Sequence, residues 1–329
     1  MEWSKKTVLV TGAGGFIGSH LTEKLVNLGA DVKAFVRYNS RNDWGLLEMA
    51  PEKVKKNLEI IMGDMRDTNA ITEACDGIDI IFHLGAIIAI PYSYLHPRET
   101  VETNIIGTLN VLKAGFDNSV EKIIHTSTSE VYGTAQYLPI DEKHPLQGQS
   151  PYSASKIGAD KIAESFFRSY DLPVVTIRPF NTYGPRQSAR AVIPTIITQM
   201  LTSDIVHIGS TNPKRDFTYI DDTVDGFIKI AQKDKIAGEV INIGSNSEIS
   251  IGDLVDKIKS ITGKKAKVKT EASRVRPKKS EVLRLCADNS KAKKLLGWEP
   301  KISLGDGLKS TVKWISDNIE LYKSEMYTI

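Results

Sequence analysis

Through the first 180 residues, short apolar runs alternate with longer stretches in which apolar positions recur every three or four residues. The runs cover residues 7–11, 31–36, 58–62, 78–84, 122–127 and 174–178. They are rich in valine and isoleucine and show no regular exchange of apolar and polar positions. Such runs predict strands buried on both faces, as in a parallel sheet. The stretches between them predict helices over 19–28, 71–75, 100–116 and 150–170, the first closed by Gly29. Strands separated by helices predict the α/β class, a doubly wound parallel Rossmann sheet with its site at the carboxyl ends of the strands.

After Pro179 the pattern loosens. Helices over 192–201, 251–262, 289–296 and 304–319, with short apolar segments at 205–208 and 239–243, predict a smaller C-terminal α+β lobe. Ser250 stands as an N-cap before the 251–262 helix. Residues 264–279 are basic and read as partly looped.

The turn after the first strand carries the first candidate chemistry. Gly12, Gly15 and Gly18, with Phe16 and Ile17 between, follow a strand and open a helix. Gly12 permits the tight turn, Gly15 close approach of a pyrophosphate, and Gly18 packing of helix on sheet. Phosphates would sit on the helix N-terminus. The expected division is therefore a dinucleotide-binding unit, residues 1–180, and a substrate lobe, 181–329, interleaved with it. An acidic residue at the end of the second strand would bind a ribose 2′-hydroxyl; Val36 stands there instead, followed by Arg37. Arg37 is either a partner for a 2′-phosphate or a solvent-facing arginine. The expected cofactor is thus NADP or NAD, tightly bound and recycled, with NADP preferred. Asp64 and Met65, after Gly63, are placed to meet the adenine, or Asp64 is an ordinary turn aspartate. Leu84 and Ala86 end the fourth strand beside the pyrophosphate channel. His83 reads as a packed strand histidine, and Asn104 as a backbone ligand or a solvated helix residue.

A second constellation follows the fifth strand. Thr128, Ser129 and Glu130 close a cluster of hydroxyls, and Tyr152 and Lys156 stand four residues apart on the 150–170 helix. That spacing puts phenol and ammonium on one face, and a neighbouring cation would draw the phenol below its usual value of about 10. A base beside a hydroxyl and a carboxylate suits combined redox and acid–base chemistry; the alternative is a chance pair on a solvated helix.

Composition narrows the picture. The chain of 329 residues is 41% hydrophobic and 25% charged, enough for a large core. A net charge of +3 gives no bulk attraction to nucleic acid. Two cysteines and six scattered histidines show no disulfide framework or metal spacing, so no metal is expected. The longest apolar stretch, 78–91, contains Asp79 and His83 and is too short to span a bilayer. No signal peptide is visible, and a cytoplasmic protein with no membrane partner is expected.

Taken together, Thr11 to Gly18, Gly63-Asp64, His83 to Ala86, Asn104, Tyr152 with Lys156, Arg178 to Pro185 and Arg215 to Asp222 resemble the extended short-chain dehydrogenase/reductase family. Its members are NAD(P)-dependent nucleotide-sugar epimerases and dehydratases. Within it, Thr128-Ser129-Glu130 resembles the active-site triplet of the sugar-nucleotide 4,6-dehydratases: Thr-Asp-Glu in the dTDP-glucose enzymes, Thr-Ser-Glu in GDP-mannose 4,6-dehydratase. The segment from Arg276 to Val282 is similar to the legionaminic acid pathway dehydratase, which acts on GDP-N-acetylglucosamine. The resemblance implies Tyr152 as base for the sugar 4-hydroxyl, Lys156 as its cationic partner on the nicotinamide ribose, and Thr128 as a hydrogen-bond partner of the 4-hydroxyl. Glu130 would act at C5 and C6. Asn181, Arg190, Arg215 and Arg276 would bind the nucleotide-diphosphate sugar, Arg276 as a diphosphate clamp. A 4-epimerase or decarboxylase on the same fold, with Glu130 a mere strand-end cap, stays open, as does a non-catalytic dinucleotide sensor. The resemblance also implies a homodimer through a four-helix bundle of helices 100–116 and 150–170. Ile157, Ile162, Ala163, Phe166 and Phe167 give the latter more apolar surface than one sheet face needs.

Overall fold

The computed structural model describes residues 1–323; the last six residues assigned to the substrate lobe lie outside them. In chain order the strands are β1 (Thr7–Thr11), β2 (Asp31–Arg37), β3 (Leu58–Gly63), β4 (Ile80–His83), β5 (Lys122–Thr126), β6 (Val174–Pro179), β7 (Asn181–Tyr183), β8 (Ile205–Ile208), β9 (Lys214–Tyr219), β10 (Val240–Ile243), β11 (Glu248–Ser250) and β12 (Lys267–Thr270). The helices are α1 (Phe16–Asn27), α2 (Glu52–Lys55), α3 (Thr68–Ala74), α4 (Ile90–Leu95), α5 (Pro97–Val101), α6 (Gly107–Asp117), α7 (Pro151–Tyr170), α8 (Val192–Thr202), α9 (Ile220–Gln232), α10 (Ile251–Thr262), α11 (Ser290–Leu296) and α12 (Leu304–Asp317).

Seven strands form one parallel sheet in the order β10-β6-β5-β4-β1-β2-β3. Successive side chains of a strand face opposite ways, which is why the runs carry apolar residues at consecutive positions. Val8, Val10, Ile80, Phe82, Ile124 and Val175 feed the core shared with residues of α1, α8, α9, α10 and α12. Leu9, Ile81, Ile123 and Val174 feed the opposite core, shared with α3, α6 and α7. Chain order reverses between β1 and β4, and such a switch point opens a crevice at the carboxyl ends of the strands. The chain beyond Pro179 returns β10 to the edge of this sheet and builds two small sheets, β11-β9-β7 and β12-β8.

Three departures from the sequence expectation have physical causes. The single helix over 100–116 is α5, a π-helical turn (Glu102–Ile106) and α6. At this turn Asn104 is fully buried, accepting from Ile87 N and donating to Ile87 O and Ser155 Oγ; such π turns mark functional positions. Helix α9 was not anticipated, although Ile220, Val224, Phe227 and Ile228 give it a buried stripe. On α7, the apolar residues expected to be surplus are used within the chain. Ala163 and Phe166 are buried in the sheet core, Ile157 and Ile162 pack on core clusters, and Phe167 lies so close to Gly238 that a Cβ there would meet its ring at 2.2 Å.

Candidate active site

β1 ends against the glycine turn. Gly12 has a φ of 70°, and a Cβ on it would lie 2.9 Å from Gly85 N. A Cβ on Gly18 would lie 2.1 Å from Gly12 O, so neither position tolerates a side chain without movement. Helix α1 starts at N-cap Gly15 with no side-chain cap, leaving the first-turn N–H groups for an anion. His83, at the end of β4, is buried between the hydroxyls of Thr11 and Thr108, each 2.9 Å away. Burial pushes its imidazole well below the usual value, which keeps it neutral. It is a packed strand histidine, as the sequence suggests.

A cleft of about 900 Å³ runs along the strand ends. Gly12, Gly15, Phe16, Ile17, Gly18, Arg37, Asp64, Met65, Leu84 and Ala86 line it, as do Thr128, Ser129, Glu130 and Tyr152. Asn181, Arg190 and Arg276 reach it from the later part of the chain. One cavity therefore collects residues from opposite ends of the chain, of the size that holds small-molecule ligands.

Thr128 caps the short 3₁₀ turn Ser129–Tyr132, its hydroxyl accepting from Glu130 N at 3.2 Å. The cap aims Glu130 into the cleft with its side chain 12% exposed, while Ser129 is buried. Helix α7 opens with Pro151 at its first position and a capping box between Ser150 and Ser153. Tyr152 N donates to Ser93 Oγ, fixing the first turn. Burial pushes the Tyr152 phenol up, partly offset by a hydrogen bond with Thr128. Burial, not the expected downward pull from Lys156, dominates here, and Lys156 Nζ donates to Thr126 O at 2.6 Å. Burial lowers this ammonium to about 8, with Asp160 opposing the shift. Lys156 thus lies beneath the cleft wall, not on it.

Sequence reasoning missed the support behind this pair. Asp160, one helical turn after Lys156, receives Ser127 Oγ at 2.7 Å, Arg178 Nη2 at 2.9 Å and His125 Nε2 at 3.1 Å. Burial pushes its carboxyl up, but these partners outweigh it and hold it at about 2. Arg178 Nη1 donates to Tyr132 OH, which donates to Asn242 Oδ1 on β10. The i, i+4 spacing from Lys156 was the available signal.

The other candidates are distributed unevenly. Asn181 Nδ2 donates to Asp216 O at 3.1 Å, and Arg190 is exposed, resting on Ser188 Oγ at 3.4 Å. Arg215 lies in β9, buried off the cleft wall, paired with Glu281 at 3.3 Å. Arg276 pairs with Glu130, Nη1 to Oε2, at 3.7 Å. Asp64 receives Arg66 through Nε and Nη2 at 2.9 and 2.6 Å. Arg37 is 72% exposed and pairs with Glu99 at 3.4 Å, and Glu99 also receives Tyr92 OH at 2.6 Å. Neither Glu99 nor Glu281 was anticipated, because each comes from a segment far away in sequence.

The sheet, the glycine turn and the tyrosine–lysine helix define a dinucleotide-dependent redox enzyme of the extended short-chain dehydrogenase/reductase class. Comparison with known proteins sharpens this. A family model described as GDP-mannose 4,6 dehydratase matches residues 9–311. The dTDP-D-glucose 4,6-dehydratase of Mus musculus is 32% identical over 329 residues, 97% of this chain and 91% of its own. The UDP-glucuronate 4-epimerase of Thermodesulfobacterium geofontis is 35% identical over 324 residues, 96% of this chain and 98% of its own. Among solved structures, an epimerase from Methanothermobacter thermautotrophicus superposes with a TM-score of 0.88 at 30% identity, covering 97% of this chain and 94% of its own. The dTDP-glucose 4,6-dehydratase of Streptomyces venezuelae, with NAD and TYD bound, gives 0.84 at 30% identity, covering 96% and 99%. The chain belongs to the NAD-dependent family of nucleotide-sugar dehydratases and epimerases.

Proposed function

We propose that this enzyme is a nucleotide-sugar 4,6-dehydratase, acting on a GDP-sugar such as GDP-N-acetylglucosamine or GDP-mannose to give a 4-keto-6-deoxy product. The observation that carries the reading is Glu130, a carboxylate on the wall of the cleft that also holds Thr128 and Tyr152. The GDP preference is supported by the Thr128-Ser129-Glu130 triplet and the matching family description.

The glycine turn and the uncapped start of α1 fit a dinucleotide pyrophosphate. Asp64 and Met65 would meet its adenine, Leu84 and Ala86 its diphosphate, and Tyr152 with Lys156 its nicotinamide ribose. Arg37 alone would favour NADP, but it is paired with Glu99, a carboxylate that would repel a 2′-phosphate drawn to the same guanidinium. We therefore read NAD, the dinucleotide of the Streptomyces enzyme, as the cofactor. A bound nicotinamide supplies the redox chemistry, accepting hydride from C4 and returning it at C6.

The chain's residues move the protons. Tyr152 takes the 4-hydroxyl proton while Thr128 orients that oxygen, and Lys156 balances the phenolate charge. Once C4 is a ketone, the C5 proton is acidic. Glu130 removes it, the C–H electron pair forms the C5–C6 double bond, and the C6–O bond breaks. Ser129 carries no acid, so the proton that makes hydroxide into water returns through Glu130 or a water, and once hydride has added at C6 a proton from solvent completes C5. Residues 1–180 would hold the dinucleotide, and residues 181–329 the nucleotide sugar through Asn181, Arg190 and Arg276, while Arg215, expected from the sequence to bind it too, is held behind the cleft wall by Glu281.

A 4-epimerase is the second reading, supported by the epimerase relative at 35% identity. It needs no carboxylate at C5. The test is to incubate the enzyme with GDP-, UDP- and dTDP-sugars and record product masses. Loss of one water is expected, and an isomer of unchanged mass would establish epimerisation instead. With the true substrate, Glu130→Gln should form no dehydrated product, yet still develop nicotinamide absorbance near about 340 nm.

A further inference from the structure

Glu130 is held by a cation with an unfilled donor. Arg276 Nη1 lies 3.7 Å from Glu130 Oε2, an ion pair beyond hydrogen-bond distance, and this buried nitrogen has no hydrogen-bond partner. Arg215 and the Tyr152 phenol also feel the charge of Glu130, with Glu281 behind Arg215. Arg215 is fixed: it belongs to β9, donates to Lys214 O at 3.0 Å and pairs with Glu281. Arg276 lies between the 3₁₀ turn Ala272–Arg274 and Pro277, outside any strand or helix, on the cleft wall. Two carboxylates here face two guanidiniums, and only Arg276 both borders the cleft and has an unmet donor.

We propose that Arg276 is a shared counter-ion, paired with Glu130 in the substrate-free enzyme and drawn from it by the substrate's diphosphate, which uncovers the carboxylate for its work at C5. This rests on the dehydratase reading of Glu130. A diphosphate entering the cleft needs a guanidinium, which it can engage through two parallel N–H···O bonds that Glu130 does not make here. Binding of the diphosphate and pairing with Glu130 then compete for one side chain. The device ties release of the base to the arrival of a nucleotide-linked sugar.

The competition is read by nucleotide affinity alone, independent of turnover. GDP, with UDP and dTDP in parallel, is titrated calorimetrically into the dinucleotide-loaded enzyme. The variants are Glu130→Gln, Arg276→Met and the double substitution, and Arg276 lies outside regular structure, so Met there leaves the fold in place. Glu130→Gln should tighten the best-bound nucleotide roughly threefold or more by freeing Arg276. Arg276→Met should weaken binding, and in its background Glu130→Gln should give no gain. Unchanged affinity in Glu130→Gln overturns the proposal. An equal gain in the Arg276→Met background does so too, since it would show only relief of repulsion between Glu130 and the diphosphate. Absence of binding by all three nucleotides at millimolar concentration would remove the diphosphate as the competitor and likewise overturn it. Product masses showing an epimerase would sink the dehydratase reading and leave this affinity cycle as measured.

Discussion

At the scale of single residues, the site depends on charges that sequence distance hides. Tyr152 and Lys156 were legible because a four-residue spacing on one helix is local. Glu99, Glu281 and Arg178 were not, because their partners Arg37, Arg215 and Asp160 sit on other elements. Two predictions follow from those partners. Burial holds Lys156 at about 8 while Asp160 pulls it upward, so turnover should fall as pH rises through that value and the ammonium loses its proton. Asp160→Asn removes the upward pull, and the alkaline limb of the kcat profile should move to lower pH. A limb that stays in place would separate Asp160 from the lysine. At the adenosine end, Glu99→Gln releases Arg37 from an exposed pair. Exposed pairs contribute up to about 1 kcal/mol, so NADP affinity relative to NAD should rise by up to about fivefold, and less at high salt. Competitive titration of both dinucleotides into stripped enzyme reads the ratio; an unchanged ratio would disconnect the pair from cofactor choice.

At the scale of elements, the same glycine does different work in different surroundings. A Cβ on Gly18 meets Gly12 O at 2.1 Å, where helix α1 crosses the turn after β1, whereas a Cβ on Gly77 meets nothing within 4 Å. Gly18→Ala should push α1 away from the turn and remove backbone donors from the dinucleotide phosphates. Each lost charge-assisted bond costs roughly tenfold or more in affinity. Gly77→Ala, strained only by its φ of 67°, should lower stability by about 1 kcal/mol and leave that affinity alone. Equal dinucleotide affinity in the two variants would contradict this. Of the main-sheet strands before β10, β1, β4, β5 and β6 were readable because burial on both faces leaves a nearly unbroken apolar run. Strand β2 and the half-buried edge strand β3 were readable despite Lys33 and Glu59. The π turn was not, because its cause is Asn104 reaching Ile87 and Ser155, contacts that exist only after folding. Helix α9 carries a readable stripe at Ile220, Val224, Phe227 and Ile228, but its first residues, Ile220 to Asp222, belong to the Arg215–Asp222 motif, which reads as site chemistry.

At the scale of the whole molecule, α5, the π turn, α6 and α7 leave apolar side chains exposed. The residues expected to supply apolar surface, Ala163 and Phe166 above all, are consumed by the chain's own core. Others stand in their place: Val101 is 41% exposed, Ile106 42%, Phe116 41% and Tyr170 54%. The Phe116 and Tyr170 rings meet at 5.3 Å between centroids, tilted by 51°, joining the end of α6 to that of α7. The π turn contributes here as well, since Ile106 lies in it while Asn104 two residues earlier points inward. Exposed apolar side chains on these helices suit an association face, and we propose that two helices from each of two copies close it into a four-helix bundle with two-fold symmetry. A stable interface of that type buries about 1,600 Å² in total, and a charge placed at its centre without a partner is costly. The protein should therefore be a dimer by light scattering at micromolar concentration. Ile106→Glu combined with Val101→Glu should give a folded monomer that keeps its dinucleotide, since neither side chain lines the cleft. Wild-type protein that scatters as a monomer, or a double variant that stays dimeric, would place the interface elsewhere or remove it.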